Sequence, residues 1–379
     1  MNRPYNMKYN FAGRGKSPDL LPMWVADMDF AAPPCVVQAM EEHARLGVYG
    51  YAEPDAAFFD TVESWFARRH GWAVSRDGMT LTPGVVTALY VAIRAFTRKG
   101  DGVLIQQPVY HPFGFAIHDT RRTPIVNELH YENGAYSINF DDFEEKARRA
   151  KLFILCSPHN PVGRVWTRDE LTRMGEICLR HNVTIVADEI WQDLVHAPHK
   201  NISFATLSPE LADITLTTTA PSKTFNLAGF QLAMMITSNE ALHRAFKQTF
   251  NDSGLFQPSL AGLVSCRAAY TQGEPWLAAL LEKLAANVRT LDKFLQKNIP
   301  AIKLVQPQGT YMAWLDCHNL CAEKNIAPDD LDAHFTENAK LWLSNGQSFG
   351  AGGQGFMRMN LACPTETLAE ALRRLEGVI

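Results

Sequence analysis

Residues 152–190 read LFILCSPHNPVGRVWTRDELTRMGEICLRHNVTIVADEI, and the fold follows from the rhythm of this stretch. Leu152–Cys156 is a run of apolar and aromatic residues, short enough for a buried strand. Thr167-Arg-Asp-Glu170 has the spacing of a capping box. Leu171, Met174, Ile177 and Cys178 then recur on one helical face. Thr184–Ala187 is a second β-branched run. Strand, helix, strand in this order implies parallel strands covered by helices on both faces, and such sheets place ligands beyond the carboxyl ends of their strands.

Working outward, Val103–Gln107, Ile214–Thr218 and Ala233–Thr237 read as further strands of the same sheet. The chain ends differ. The first 45 residues hold Pro22, Pro33 and Pro34, and read as an arm with a first helix after the prolines. Beyond residue 284, a helical Ala285–Lys297 gives way to strand-like Lys303–Val305 and Tyr311–Leu315, then to a Gly-rich Asn345–Gly355. The expectation is an α/β protein with a large central domain (46–284) and a smaller α+β domain built from 1–45 and 285–379, the ligand cleft lying between them. No repeat or low-complexity linker interrupts the 379 residues.

Composition narrows the function classes. There are 36 Lys+Arg against 40 Asp+Glu, a net charge of −4, so no basic excess suits a nucleic-acid partner. With 46% hydrophobic and 20% charged residues the chain is composed like a folded domain. No apolar run approaches the roughly 20 residues of a membrane helix. The first residues lack the apolar centre of a signal peptide, so a cytoplasmic location without membrane attachment is expected. The seven scattered cysteines suit reduced thiols, and CHNLC at 317–321 has no second pair at zinc-site spacing, so no metal is expected.

Four segments at expected strand ends carry the chemistry. Thr82-Pro-Gly-Val-Val86 opens a helix with a glycine, where free N–H groups and the helix dipole can seat a phosphate; a plain turn is the alternative. Ser157-Pro-His-Asn-Pro-Val-Gly163 holds Asn160 between two prolines, either projecting its amide into a cleft or simply making a turn. Ala187-Asp-Glu-Ile190 ends a buried strand in two acids, costly unless a cation meets one of them or they face outward as a helix cap. Lys223, in Ala220-Pro-Ser-Lys-Thr-Phe-Asn-Leu-Ala-Gly229, is the only charged residue from Ile214 to Asn239. Desolvated there its amine is depressed and nucleophilic; otherwise it snorkels to the surface. An anion seat, an amine, an acid for a pyridine nitrogen and a donor for a phenolic oxygen are the requirements of pyridoxal phosphate.

With these residues in view, the sequence resembles, nearly end to end, a fold-type I pyridoxal-phosphate enzyme of the class I/II aminotransferase superfamily. Met23-Trp-Val-Ala-Asp-Met-Asp-Phe30, Leu155–Gly163, Ser222-Lys-Thr-Phe-Asn226, Thr310–Asp316 and Gly355–Asn360 resemble the MalY/PatB branch of cystathionine β-lyases more narrowly. The resemblance implies that Lys223 is the catalytic, imine-forming lysine, and that Ser222 with the amides of Gly84, Val85 and Val86 holds the phosphate. It implies that Tyr110 stacks on the ring, Asp188 meets the ring nitrogen and Asn160 meets the phenolic oxygen. Arg358 would grip the substrate carboxylate, with Asp27 and Tyr311 also on the substrate. Tyr51 would reach the phosphate of a neighbouring subunit, hence a homodimer with shared sites. The implied activity is α,β-elimination from cystathionine- or cysteine-type amino acids, giving pyruvate, ammonia and a thiol. Two other readings stay open: an aminotransferase, and a pyridoxal-phosphate-dependent regulator acting through protein contact. Two departures are noted. Gln231 stands where aminotransferases of this superfamily commonly carry an arginine, and Trp191 where the branch usually has a histidine.

Overall fold

In the computed structural model, which describes residues 5–255 and 257–378, the strand–helix–strand rhythm becomes a seven-stranded sheet. Its strands are β1 (Met79–Thr82), β2 (Gly102–Gln107), β3 (Thr123–Glu128), β4 (Ala150–Cys156), β5 (Thr184–Asp188), β6 (Thr215–Thr219) and β7 (Ala233–Ile236). They lie in the order β1-β7-β6-β5-β4-β2-β3. Only β7 runs antiparallel to its neighbours.

Side-chain alternation decides why helices cover both faces. Leu152 and Ile154 pack into one apolar cluster with Val186, while Phe153 and Leu155 pack into another with Ile185 and Ala187. A strand buried on both sides must be apolar at every position, which is what the run showed. Ahead of the sheet, α1 (Pro34–Leu46) starts on the second of the paired prolines and stops at Gly47 in the left-handed region (φ 65°), and α2 (Ala56–His70) follows. On the first face, α3 (Val85–Phe96) contributes Val85, Ala88, Leu89 and Ala92. On the second, α4 (Arg168–Arg180) contributes Leu171, Met174, Ile177 and Cys178; the Thr167 hydroxyl accepts from Glu170 N–H and the Glu170 carboxylate from Thr167 N–H, so the capping box forms.

The edge strand β3 was not anticipated. It carries Pro124, which lacks a ladder donor and is tolerated only where one side of the strand is unpaired. The expected helix at 285–297 is the second half of α6 (Glu274–Asn298); its start is moved back to Glu274, with Pro275 in the first turn.

The second unit is a four-stranded antiparallel sheet of β8 (Lys303–Val305), β9 (Met312–Asp316), β10 (Ser344–Asn345) and β11 (Phe356–Asn360), ordered β8-β9-β11-β10. The N-terminal arm adds a separate two-stranded sheet, Leu21–Pro22 pairing in parallel with Leu341–Trp342. α6 serves both units: Leu277, Leu280 and Leu284 pack with Trp65 and Phe66, whereas Leu291 and Leu295 pack with Met23, Leu315 and Met357. We propose the two-domain division at 46–284 against 1–45 with 285–379, with α6 crossing the boundary. Among the described residues no helix is long and apolar enough to cross a membrane.

Candidate active site

The carboxyl ends of β4, β5 and β6 deliver their loops to one edge of the sheet, where a cavity of about 200 Å³ opens. Its lining gathers residues the sequence singled out: Gly84, Val85, Val86, Tyr110, Asn160, Asp188, Ser222 and Lys223. Gln231 and Trp191, the two departures, also line it.

Gly84 is the N-cap of α3 and no side chain caps the helix, so its first-turn N–H groups are left for an outside acceptor. A Cβ on Gly84 would meet no heavy atom within 4 Å beyond its own chain neighbours, so the space there is open rather than packed. Lys223 lies in the single turn α5 (Pro221–Thr224), and its Nζ donates to the Ala26 carbonyl at 2.7 Å. The Tyr311 hydroxyl donates to the same carbonyl at 3.0 Å, while its ring meets Trp191 edge-on at 4.7 Å between centroids. The side chain of Lys223 is partly open to the cavity, but its amine is enclosed. That desolvation lowers the amine to about 8, opposed by the negative charge of Asp27.

Two buried ionisable groups in the site have no ion-pair partner among the described residues. Asp188 closes β5 at 2% exposure, and its one side-chain hydrogen bond is from Ile190 N–H at 3.1 Å. Burial raises its carboxyl to about 7, the Ile190 N–H and Lys223 only partly countering this. Glu189, its neighbour, points elsewhere and accepts from Phe204 N–H at 2.7 Å. Arg358, on β11, is 3% exposed, and burial lowers it to about 10, still protonated at neutral pH. Its hydrogen bonds go only to neutral oxygens: Asn160 Oδ1 at 3.0 Å, the Trp24 carbonyl at 2.9 Å and Ser344 Oγ at 3.3 Å. The ring of Phe349 lies 4.7 Å from the guanidinium carbon. Because Asn160 spends its carbonyl oxygen on Arg358, its amide nitrogen is left for another acceptor. Desolvation raises the Tyr110 hydroxyl, so that ring presents a neutral face.

Asp27 does not line this cavity but the adjoining one. Tyr51 is 93% exposed and reaches nothing in its own site.

One group of residues escaped the sequence reading. Asp193, 4% exposed, accepts from the Thr224 hydroxyl at 2.9 Å and sits 3.0 Å from His70 Nε2, with Arg69 Nε at 3.7 Å. Since Thr224 follows Lys223, the end of α2 is tied to the turn that carries the amine. Nothing local announced it, because His70 and Asp193 are 123 residues apart. Asp193→Ala would strand two buried donors, so thermal and denaturant unfolding should report a loss of about 3 kcal/mol.

The unpaired charges test the expected cofactor on the structure's own terms. A protonated pyridine nitrogen is the cation a buried Asp188 lacks, a phosphate is the acceptor the uncapped α3 lacks, and an amino-acid carboxylate is the anion Arg358 lacks. The residues therefore fit pyridoxal phosphate with an amino-acid substrate.

Known proteins agree with this geometry. The family model for class I and II aminotransferases matches residues 18–375. The cystathionine β-lyase PatB of Bacillus subtilis is 40% identical over 363 residues, 95% of this chain and 93% of that protein. The crystal structure of cystalysin from Treponema denticola, which contains a pyridoxal 5'-phosphate cofactor, superposes with a TM-score of 0.95 at 33% identity, covering 100% of this chain and 97% of the other. The PLP-bound C–S lyase of Staphylococcus hominis gives 0.93 at 30% identity, covering 100% and 96%.

Proposed function

We propose that this chain, which belongs to the class I and II aminotransferase family, is a pyridoxal-phosphate-dependent carbon–sulfur lyase of the cystathionine β-lyase type. The observation that carries the chemistry is the enclosed amine of Lys223 sharing one cavity with an uncapped helix end and a buried Asp188 that has no ion-pair partner among the described residues.

Bound there, pyridoxal phosphate supplies an aldehyde carbon that condenses with an amine and a ring that takes up the electron pair left when an α-proton departs. The chain's own groups do the rest. Val85 and Val86 N–H with Ser222 would hold the phosphate, Asp188 would keep its negative charge against the ring nitrogen, and Asn160 would donate to the phenolic oxygen. Arg358 would hold the substrate carboxylate through a two-pronged contact, orienting the α-carbon. Lys223 would act as general base on the α-proton. A thiolate then leaves the β-carbon with its bonding electrons. The net reaction consumes one water and yields pyruvate, ammonia and a thiol.

Two outcomes follow. Arg358→Lys keeps the charge but not the planar fork, so kcat/KM for L-cystathionine should fall by about 10²-fold, mostly through KM. The lowered amine gives a pH dependence of fixed sign: the free base accumulates as pH rises through about 8. Plots of kcat should therefore climb about tenfold per pH unit below that point and level above it.

We further propose a cytoplasmic homodimer. Leu46, Val48, Tyr49 and Tyr51 form an exposed apolar run, 71%, 68%, 67% and 93% accessible, that a second copy would cover, bringing Tyr51 to the neighbouring phosphate seat. The activity is tested by supplying holoenzyme with L-cystathionine and measuring pyruvate and free thiol. Keto acid formation with conversion of the cofactor to its amine form, without thiol, would identify an aminotransferase instead.

A further inference from the structure

The groups assigned to grip and to deprotonate the substrate come from different sheets. Lys223 follows β6 of the seven-stranded sheet, whereas Arg358 lies on β11 of the four-stranded one. Their spacing must match the single bond between a substrate's carboxylate and its α-carbon, and one segment touches both. Residues 23–33 belong to no helix or strand, so their backbone groups have no ladder of their own and must be met from outside. The Trp24 carbonyl accepts from Arg358 at 2.9 Å and from the Ser344 hydroxyl at 2.8 Å. Two residues on, the Ala26 carbonyl accepts from Lys223 and Tyr311.

Two asparagines hold the carbonyls between and beyond these. Asn360, 1% exposed and two residues from Arg358 on the same face of β11, donates from Nδ2 to the Val25 and Asp27 carbonyls, at 2.7 Å each. Its Oδ1 is taken by Ala362 N–H at 2.7 Å, which fixes the end of the amide that faces the segment. Its main-chain N–H adds the Met23 carbonyl at 2.8 Å. The Asp27 N–H turns back on the Val25 carbonyl at 2.9 Å, so Ala26 is the centre of a three-residue turn straddled by one amide. At the other end Asn226, in the loop that follows Lys223, accepts from Met28 N–H at 3.2 Å and donates to the Met28 and Phe30 carbonyls at 3.2 and 2.8 Å. Every carbonyl from Met23 to Met28 therefore has a donor, and the end donors belong to the strand of Arg358 and the loop of Lys223. A φ of 60° would by itself explain an asparagine at 226, but not three hydrogen bonds from its side chain to this one segment.

We propose that Asn360 and Asn226 are positioning residues: they tie the Trp24–Phe30 segment to β11 at one end and to the Lys223 loop at the other, and so fix the distance from the carboxylate grip to the general base. The inference rests on the roles given above to Arg358 and Lys223, and not on which bond breaks afterwards. It is tested with holoenzyme carrying Asn360→Ala, Asn226→Gly, which keeps the left-handed backbone without strain, or both. Exchange of the L-alanine α-hydrogen for deuterium, followed by proton NMR, needs Lys223 and Arg358 but no leaving group. Each single variant is expected to slow it by about 10²-fold, the cost of a small misplacement of reacting groups. The double variant is expected to be little slower than the worse single one, because a strap cut at either end no longer registers the two groups. Losses that multiply, or wild-type exchange in Asn226→Gly, overturn the proposal, the second even if Asn360→Ala does not fold. Affinity gives a readout that a general loosening of the fold would not move, since L-alanine and ethylamine differ by the carboxylate alone and cofactor absorbance reports the binding of both. Asn360→Ala is expected to lower the ratio of their affinities by about tenfold and Asn226→Gly to leave it unchanged, as only the first touches the seat of Arg358. A ratio that Asn360→Ala leaves at the wild-type value overturns the inference. Wild-type exchange without pyruvate formation from L-cystathionine would remove the lyase reading alone.

Discussion

Lys223→Ala should lower turnover of L-cystathionine by on the order of 10⁴-fold or more, the largest loss of any single substitution in the molecule. Two functions vanish together. Among the described residues Lys223 is the sole lysine lining the cavity, and its affinity for a proton, about 8, suits proton removal near neutral pH. The fold should tolerate the change, since the side chain gives up one hydrogen bond, to the Ala26 carbonyl, and Tyr311 still fills that acceptor. The variant is thus expected to unfold near the wild-type temperature while its visible absorbance loses the band of the joined cofactor. Steady-state assays and circular dichroism read both; retained turnover would exclude Lys223 from the reaction.

Asp188→Asn should cost on the order of 10²–10³-fold in kcat, the range found when a preorganised electrostatic partner is removed from a buried site. Without cofactor the carboxylate is a burden, because burial raises it to about 7 and the Ile190 N–H and the Lys223 charge only partly counter this. A protonated ring nitrogen would return it to its charged state, and the two would hold each other ionised in a medium of low dielectric. Asparagine keeps the shape but cannot stabilise a cation, so the ring would lose its proton and much of its capacity to take up electrons. The expected signature is a large fall in kcat with a smaller change in KM, accompanied by weaker cofactor retention in a dialysis series. A variant with unchanged kcat would contradict the assignment.

Much of this was readable before the structure because it depends on short-range pattern. The apolar runs of β4 and β5 and the capping box of α4 each specify a local conformation, and parallel topology then forces Ser157–Gly163, Asp188 and Ser222–Lys223 to a common edge. What escaped lies in long-range pairing. The link from His70 through Asp193 to Thr224 joins three elements by two hydrogen bonds, and no spacing rule connects residues so distant. Lys8, which no sequence pattern singled out, is 1% exposed and pairs with Asp29. β3 was hidden by Pro124, which reads as a breaker unless the strand is known to be at an edge. The long α6 was legible only in its second half, because Gly273 and Pro275 punctuate its start.

The central claim, that the Lys223 nitrogen is the point of attachment for pyridoxal phosphate, is tested most directly by reducing the holoenzyme with sodium borohydride and mapping the pyridoxyl group by peptide mass spectrometry. The label is expected on the peptide containing Ser222-Lys223-Thr224 and on no other lysine. A label confined to a different lysine, or none under conditions that saturate the protein with cofactor, would contradict it.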